Sequence, residues 1–288
     1  MLVEKIIAVA AKDAGERQLP KVSASNVGKC VRALWYIHHE TSPEPLPPRT
    51  MLVFSLGNLV EESVCDWIEK ASKDFIRTDC RNDTTTEKET GLRARADFVC
   101  ALDETPLFPD ELELRSCVPG DPLPPRPGEM VGGEIKSLSN FAFERALRGD
   151  IDFTYRAQVE TCLRAYDLRW WLLVAYRKET SHITEILIGR SDAVWAKILQ
   201  SVQQAKAPTV PDRPYELETR CISAKDGKCI DGKTPSRGQP HKACGGTGLE
   251  IGGPFIPTWP CNYCSYKAPC WGELELAFKD GKPRWRVK

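Results

Sequence analysis

Two short stretches in the middle of the chain carry carboxylates and a lysine at spacings that suit metal-dependent chemistry. "RADFV" contains Asp97, and "GGEIKS" contains Glu134 and Lys136. Side chains two residues apart on a strand project from the same face of the sheet. Glu134 and Lys136 are therefore predicted to point together, with Asp97 facing them if its strand pairs alongside. Two carboxylates and an ammonium on one face predict a site for a hard divalent cation, Mg²⁺ or Mn²⁺.

The E-x-K spacing is weak on its own, because an exposed edge strand with alternating charges shows it too. Three neighbouring features favour the metal site. Val131 and Ile135 make the strand apolar outside the charged pair. "GNLVEE" upstream offers Glu61 as a third carboxylate, and "YRAQ" downstream places Tyr155 and Gln158 on one face of a helix. A bound cation can generate hydroxide from water and stabilise the developing charge on a phosphate.

A second constellation consists of cysteines near the C-terminus. "PCNYCSYKAPCWG", residues 260–272, contains Cys261, Cys264 and Cys270 in C-x2-C-x5-C spacing. A cluster or metal site usually takes four ligands, so a fourth must come from elsewhere in the chain. The sequence has twelve cysteines, and in a reducing compartment this number favours metal or cluster ligation over disulfides.

Taken together, these stretches resemble the PD-(D/E)XK nucleases of the RecB exonuclease type. More narrowly, the chain is similar to the iron–sulfur branch that includes AddB-type and CRISPR-associated RecB-like exonucleases of phages and prokaryotes. "SASNVGKCVRALWY" resembles that branch's N-terminal signature, with a cysteine, an arginine two residues later and an aromatic pair. The resemblance implies that Cys30 completes a [4Fe–4S] cluster with Cys261, Cys264 and Cys270. Four thiolates could also hold a structural zinc ion, which is the alternative.

The same resemblance implies roles for the acidic residues. Asp97 stands where the family has its central metal-binding aspartate, and Glu134 and Lys136 stand at the E-x-K motif. Gln158 matches the glutamine of the helix motif that follows. The implied catalytic set is thus Asp97, Glu134, Lys136 and Gln158.

Two positions depart from the pattern of the CRISPR-associated branch. Where that branch has a histidine in the long helix, this chain has Glu61, as in the phage lambda exonuclease pattern, so the implied metal ligands are Glu61, Asp97 and Glu134. The tyrosine that often follows the glutamine by four residues is replaced by Cys162, and the next tyrosine is Tyr166. Contacts to DNA are instead expected from Tyr155, Arg156 and Arg145, although a solvated helix face explains the two arginines nearly as well.

Residues 221–248 form a further cysteine group. Cys221, Cys229, His241 and Cys244 could bind zinc, and lysines in this stretch make it locally basic. The spacings are unusual for a zinc site, so a glycine-rich surface loop with incidental cysteines is the alternative.

The elements that must position these residues follow from the hydrophobic patterns. Strands are predicted over residues 92–102, 130–138, 169–179 and 182–190. Helices are predicted near the N-terminus up to residue 15, from Ser23 or Ser25 through Trp35, and over residues 50–75, 140–150, 152–168 and 191–207. The long helix over 50–75 carries an apolar stripe through Leu52, Leu56, Leu59, Val60, Val64 and Ile68. Residues 103–129 are predicted to be a proline-rich loop or hairpin.

This order predicts an α/β fold with a mixed central sheet flanked by helices, and the resemblance to the nucleases implies a restriction-endonuclease-like core. Residues 1–207 form the predicted nuclease core, including the N-terminal helical segment with Cys30. Residues 208–288 form a predicted cysteine-rich region packed on that core, with the zinc loop at 221–248 and the iron–sulfur segment at 255–272. A chain of 288 residues can bury a substantial core without disulfides.

Composition limits the partners only weakly. The 40 basic and 40 acidic residues balance, so no global charge indicates a nucleic-acid partner, although a local groove can still be basic. The first twenty residues read as an amphipathic helix rather than a signal peptide, and no apolar stretch approaches the ~20 residues that span a membrane. A cytoplasmic protein without a membrane partner is therefore expected.

The function predicted from these observations is a Mg²⁺- or Mn²⁺-dependent DNA exonuclease with an iron–sulfur cluster. Its substrates would be single-stranded DNA or duplex ends in recombination, repair or CRISPR spacer processing. Recombination or CRISPR adaptation proteins are the expected partners, and a homo-oligomer is left open. The rival is a non-catalytic iron–sulfur or zinc protein that binds nucleic acid or acts as a scaffold, and a redox electron carrier is a third reading. Neither rival needs Asp97, Glu134 and Lys136 together.

Overall fold

The computed structural model describes residues 9, 21–45, 48–71, 84–101, 115–116, 128–213, 233–235, 239–240, 261, 264–272, 274–279 and 282–287. The chain divides into two units. The first consists of residues 1–40 and 46–208, and the second of residues 41–45 and 209–288. Among the helices in the described ranges, none is both long and apolar enough to cross a lipid bilayer.

Two short helices stand where the sequence predicted one. Helix α1 spans Ala24–Val27 with Ser23 as its N-cap, and helix α2 spans Val31–His38 with Cys30 as its N-cap. The break falls after Gly28, where a Cβ atom would lie 2.6 Å from the Cα atom of Thr154. Glycine at this position therefore permits a close approach between two backbone segments.

The long helix α3 spans Pro48–Ala71. It begins two residues before the predicted start, at a proline, which is favoured in the first turn of a helix. Of the predicted apolar stripe, Val64 and Ile68 are buried, whereas Leu56 and Leu59 are 50% and 60% exposed. The stripe is therefore buried only in the C-terminal half of the helix, because a stripe identifies a helix face and not how far along the helix that face has a packing partner.

The central sheet confirms the predicted mixed α/β fold. Its strands lie in the order β3–β5–β6–β7–β4. They are β3 (Phe98–Ala101), β4 (Arg115–Ser116), β5 (Met130–Leu138), β6 (Trp170–Arg177) and β7 (Ile183–Gly189). The β5–β6 and β4–β7 pairs are parallel, and the β3–β5 and β6–β7 pairs are antiparallel.

Helices cover both faces of this sheet. Successive residues of β6 alternate between two apolar layers, with Trp171 and Leu173 in one and Trp170 and Leu172 in the other. The first layer includes side chains of α4 (Asn140–Leu147) and α5 (Phe153–Ala165), which connect β5 to β6. The second layer is covered by the C-terminal half of α3. Helix α6 (Asp192–Ala205) has Ser191 as its N-cap and packs on a third cluster.

The predicted strand over residues 92–102 is divided at Asp97. Residues Arg93–Arg95 form β2, which pairs antiparallel with β1 (Thr84–Thr86) in a separate two-stranded sheet. The chain then enters the central sheet as β3. Asp97 therefore lies between two sheets, immediately before β3.

Two adjacent glycines allow aromatic rings to lie against β5. A Cβ atom on Gly132 would overlap the ring of Trp171, and one on Gly133 would overlap the ring of Phe98. Since Trp171 and Phe98 belong to the opposite layers of the core, both faces of β5 are packed against rings just before Glu134.

One buried carboxylate on β7 was not anticipated from the sequence. Glu185 is 4% exposed, and its Oε2 atom has no hydrogen-bond partner. Burial raises the pKa of Glu185 to about 7. Its negative charge also contributes, after burial, to raising the pKa of the nearby Cys100 thiol to about 12.

The second unit contains a short helix and a hairpin. Helix α7 spans Lys267–Trp271, and strands β8 (Leu274–Lys279) and β9 (Lys282–Val287) pair antiparallel. Glu44 joins this unit, because its backbone N–H donates to Ser265 at 2.7 Å and its Oε1 accepts from the N–H of Ala268 at 2.6 Å. The sequence prediction missed the hairpin, although the Asp-Gly dipeptide between two alternating stretches is a recognised hairpin signal.

Candidate active site on the central sheet

The predicted acidic residues and their partners meet at β5. Helix α3 carries Glu61, the junction between β2 and β3 carries Asp97, and β5 carries Glu134 and Lys136. Helix α5 adds Tyr155 and Gln158. The structure brings these side chains into direct contact or into mutual electrostatic range, as the following distances show.

Asp97 is tied by its backbone and its side chain to the strand that carries Glu134. The N–H of Asp97 donates to the carbonyl of Gly133 at 2.9 Å, and Oδ2 accepts from the N–H of Ile135 at 2.8 Å. The residue is 3% exposed. These two bonds on either side of Glu134 fix the Asp97 carboxylate beside it.

Glu134 is the most crowded carboxylate of the group. Its Oε1 accepts from Lys136 Nζ and from Gln158 Nε2, the latter at 2.7 Å, while its Oε2 is buried without a partner. Burial and the negative charges of Asp97 and Glu61 raise the pKa of Glu134 to about 7, although Lys136 opposes this. A buried acid with raised pKa and an unsatisfied oxygen is typical of a functional site.

Lys136 is held as a cation. Burial lowers the pKa of Lys136, but the nearby Glu134 and Asp97 charges outweigh burial, so the net pKa is raised. Its Nζ lies 5.6 Å from the centre of the Tyr155 ring, which favours a positive charge. The lysine is therefore an ammonium ion at neutral pH in the state that the structure describes.

Arg95 belongs to the site and was missed in the sequence. Its Nη2 lies 3.1 Å from Glu61 Oε1 and 3.4 Å from Asp97 Oδ1. Burial and the Asp97 charge raise the pKa of Glu61, and the positive charges of Arg95 and Lys136 oppose this. The signal was available, because Arg95 and Asp97 have the same two-residue spacing as Glu134 and Lys136.

The carboxylates of Glu61, Asp97 and Glu134 have the chemistry to bind a hard divalent cation, but their oxygens do not converge on one point. Among the described residues, no group of three His, Cys, Asp or Glu side chains is already arranged to hold a metal ion. The guanidinium of Arg95 lies between Glu61 and Asp97 instead. The orphaned Glu134 Oε2 and the neighbouring carboxylates nevertheless supply the oxygen ligands that Mg²⁺ and Mn²⁺ prefer.

Two of the three residues expected to contact DNA are engaged elsewhere. Arg156 is buried, and its Nη2 donates to the carbonyl of Gly189 at 3.2 Å. This bond directs the guanidinium toward the end of β7, and a contact between Arg156 and DNA stays a prediction. Arg145 forms a two-pronged ion pair with Asp150 at 2.7 and 2.8 Å. Only Tyr155, beside Lys136, lies at the acidic group.

Tyr166 and Cys162 also point into the protein. The Tyr166 hydroxyl accepts from the N–H of Ala96 at 3.1 Å, and Cys162 is fully buried with its Sγ 3.8 Å from the Arg95 carbonyl. Both residues therefore support the backbone just before Asp97 from the side of α5.

The cysteines of the predicted cluster lie in both units. Cys30 is in the first unit, and Cys261, Cys264 and Cys270 are in the second. The N–H of Cys264 donates to the Cys261 carbonyl at 3.2 Å, and the Cys264 sulfur accepts from the N–H of Tyr266 at 3.4 Å. None of these four cysteines is in a disulfide. The predicted zinc group, Cys221, Cys229, His241 and Cys244, lies outside the described residues.

Comparisons with known proteins give a limited result. No protein-family model matches the sequence, and no curated protein matches it. Among solved structures, the chain is similar to an alkaline exonuclease from Laribacter hongkongensis, with 15% identity and a TM-score of 0.40 over 65% of this chain and 86% of the exonuclease. It is also similar to SSO0001, with 12% identity and a TM-score of 0.39 over 75% of this chain and 90% of that one.

A third similar structure is the same Laribacter exonuclease in complex with dAMP, at 15% identity and a TM-score of 0.37 over 63% of this chain and 88% of that one. Likenesses at this level carry no inference about activity. What the protein does must be inferred from its own side chains.

Proposed function

We propose that this protein is a metal-dependent nuclease that hydrolyses phosphodiester bonds in DNA, and more narrowly an exonuclease. The observation that carries the proposal is the arrangement around Glu134. One of its oxygens is held by Lys136 and Gln158, the other is buried without a partner, and Asp97 is tied to the same strand. A scaffold protein has no use for so many buried charges, which cost folding free energy unless they are paired.

Glu61, Asp97 and Glu134 are the residues that would hold Mg²⁺ or Mn²⁺. When bound there, the cation supplies positive charge to the phosphate oxygens and makes a water molecule more acidic. Arg95 would have to move from between Glu61 and Asp97 for these carboxylates to converge on a cation, and its guanidinium would then be available to a phosphate.

The other residues position and polarise the reacting groups. Lys136 is protonated, so it acts as a hydrogen-bond donor and positive charge toward the phosphate and the attacking water rather than as a base. Gln158 holds Oε1 of Glu134 in a fixed direction through its amide. Tyr155 covers Lys136 with its ring and keeps the ammonium close to the carboxylates.

The test of this function is degradation of end-labelled single-stranded and duplex DNA under anaerobic conditions with Mg²⁺ or Mn²⁺. We expect the wild-type protein to shorten the DNA from its ends. Asp97→Ala should abolish degradation, and Lys136→Ala should reduce the rate by roughly 10²–10³-fold, the range for removal of one donor that stabilises developing negative charge. Equal degradation by wild-type and Asp97→Ala proteins would contradict the proposal and favour the non-catalytic scaffold.

Glu61 has a matched control on the same helix. Glu62 is its exposed neighbour, and it lacks the contact that Glu61 makes with Arg95. We expect Glu61→Ala to reduce metal-dependent cleavage strongly and Glu62→Ala to leave it nearly unchanged. The reverse result would show that the third metal ligand has been assigned to the wrong residue.

We also propose that Cys30, Cys261, Cys264 and Cys270 hold a [4Fe–4S] cluster. The resemblance of their flanking sequences supports this set, and the N–H group directed at the Cys264 sulfur is a contact of the kind that tunes cluster thiolates. Protein purified anaerobically should be brown with about four irons per chain. Cys30→Ala should bleach it, whereas Cys65→Ala, at a buried cysteine outside the set, should not. Tightly bound zinc in place of iron would reverse the assignment.

Zinc binding by Cys221, Cys229, His241 and Cys244 is a separate proposal. It rests on the ligand types alone, three thiolates and an imidazole. His241→Ala should release zinc while the iron content stays unchanged. The pathways proposed for the nuclease are recombination, repair or CRISPR spacer processing, with the proteins of those pathways as partners.

A further inference from the structure

A pocket of about 400 Å³ opens in the first unit away from the acidic residues. It lies between the end of α2, the end of α6 and the turn that leads into β2. Its floor is apolar and consists of the buried side chains of Ile37, Leu92, Val202 and Ala205. None of Glu61, Asp97, Glu134 or Lys136 lines it, so it is distinct from the candidate active site.

The rim of this pocket is positively charged. Lys21, Arg93 and Lys206 supply this charge and are all exposed, and the exposed ring of His38 lies beside them. Within the part of the chain that the structure describes, neither lysine forms an ion pair, and Arg93 bonds only to the hydroxyl of Thr84 at 3.3 Å. Glu40 is the one acidic residue in the lining.

The local electrostatics agree with this geometry. The pKa of His38 is lowered, first by burial and then by the positive charges of His39 and Lys206. Burial disfavours charge of either sign, so only the smaller contribution from Lys206, a lysine of the rim, agrees with a site that favours an anion.

Strand β2 connects the pocket to the candidate active site. Arg93 lines the pocket, Ala94 is buried, and Arg95 contacts Glu61 and Asp97. Residues two apart on a strand share a face and lie roughly 7 Å apart. The exposed face of β2 therefore places one arginine at the pocket and one at the carboxylates, a separation of about two nucleotide steps at about 3.4 Å each along a DNA helix.

We propose that this pocket binds one nucleotide of the DNA strand outside the position of cleavage. The apolar floor contacts the base or sugar, and Lys21, Arg93 and Lys206 contact the phosphate. A pocket of this size and composition matches such a ligand, because ligand sites combine mostly apolar linings with a few placed polar groups. Strand-tracking proteins bind phosphates with positive charges in the same way. This inference rests on the proposed nuclease function and extends it to a second contact with the same strand.

The test uses full-length protein and DNA binding in Ca²⁺, so that binding is measured without relying on cleavage. A labelled single-stranded oligonucleotide is titrated against wild type, Lys21→Ala/Lys206→Ala and the control Lys197→Ala at several salt concentrations. Lys197 lies on α6 with its Nζ 5.8 Å from the Phe153 ring and does not line the pocket. We expect the double variant to bind about tenfold or more weakly and its salt slope to fall by about 0.7–1.4. The control should match wild type.

A second arm separates this inference from the proposed nuclease function. Cleavage of a dinucleoside monophosphate, whose single phosphate is the one cleaved and leaves none for Lys21 and Lys206, should have the same rate in wild type and in the double variant. If wild type cleaves DNA while the double variant binds with unchanged affinity and salt slope, the pocket assignment is overturned and the nuclease function stands. If wild type cleaves neither substrate, the nuclease function fails, and the binding arm still decides the pocket.

A third arm distinguishes a strand phosphate from a free one. Inorganic phosphate and a mononucleotide are titrated into wild type and the double variant. Binding of either one that depends on Lys21 and Lys206, together with unchanged DNA affinity in the double variant, would assign the pocket to a free nucleotide or phosphate and overturn the DNA assignment.

Discussion

The side-chain amide of Gln158 donates a hydrogen bond of 2.7 Å to Oε1 of Glu134, and both side chains are buried. This bond links α5 to β5 at the centre of the acidic group. Because the same oxygen also accepts from Lys136, the amide shares the task of orienting the carboxylate and does not perform it alone.

Replacing Gln158 with Ala should therefore reduce the cleavage rate moderately. Loss of one hydrogen bond of ordinary net strength, about 0.5–1.5 kcal/mol, corresponds to a rate that is roughly twofold to thirteenfold lower. The measurement is kcat at saturating metal and DNA. Gln203→Ala, at an exposed position on α6, is the control and should be unaffected. Equal kcat in Gln158→Ala and wild type would show that the amide has no positioning role.

Gly133 and Gly57 should respond in opposite ways to alanine. A Cβ atom at Gly133 would overlap the Phe98 ring, whereas one at Gly57 meets nothing within 4 Å. We expect Gly133→Ala to destabilise the protein by about 1–3 kcal/mol or more through overpacking. Gly57→Ala, in the middle of α3, should stabilise it by up to about 1 kcal/mol. Urea unfolding of both variants tests this, and a tolerated Gly133→Ala would contradict the packing described for β5.

Arg95→Ala should strengthen metal binding. The guanidinium competes with a cation for Glu61 and Asp97, but it is half-exposed, so its removal is expected to raise Mn²⁺ affinity only by up to about fivefold. Arg93→Ala is the matched control, because Arg93 lies on the same face of β2 and bonds to a hydroxyl rather than to a carboxylate. Titration of Mn²⁺ followed by calorimetry measures both. Weaker binding in Arg95→Ala would show that the arginine supports the site instead of competing for it.

Glu185→Gln should stabilise the protein in a pH-dependent way. Burial raises the pKa of Glu185 to about 7 from an ordinary value of 4.5, so the folded state holds its proton more tightly than the unfolded state. Stability from this group is present below pH 4.5 and is lost as the pH rises to about 7, with an upper limit of about 3 kcal/mol. The variant should thus have a higher melting temperature than wild type at pH 8 and a similar one at pH 4.5. A difference that does not change with pH would contradict this assignment.

The positions that the sequence predicted well are those where one short-range rule decides the outcome. The two-residue spacing put Glu134 and Lys136 on one face, and their contact agrees with it. The helix over Phe153–Ala165 carries Tyr155 and Gln158 toward the same strand because they are one turn apart. The mixed sheet also followed from the order of the apolar segments.

The features that the sequence did not reveal depend on which neighbour each face meets. Alternation through residues 92–101 looks continuous, yet the chain leaves one sheet and enters another at Asp97. Arg156 carries a charged side chain of the kind usually found at the surface, but it is buried against the end of β7. The pocket with the positively charged rim joins residues that are more than a hundred positions apart in the chain, so no local pattern could indicate it.

Strand β5 has two parts in different surroundings, a buried part that contains the glycine pair and a partly exposed part that follows it. Rings of Trp171 and Phe98 press on Gly132 and Gly133 and exclude solvent from the strand up to Ile135, whereas Lys136 and Ser137 are partly exposed. Glu134 is thus the last charged group on the low-dielectric side, and the Lys136 ammonium stands at the boundary with water. Charge changes at Glu134 are weakly screened. A phosphate that approaches from solvent would therefore contact Lys136 first. The charge of the buried Glu134 carboxylate would act on that phosphate with little screening.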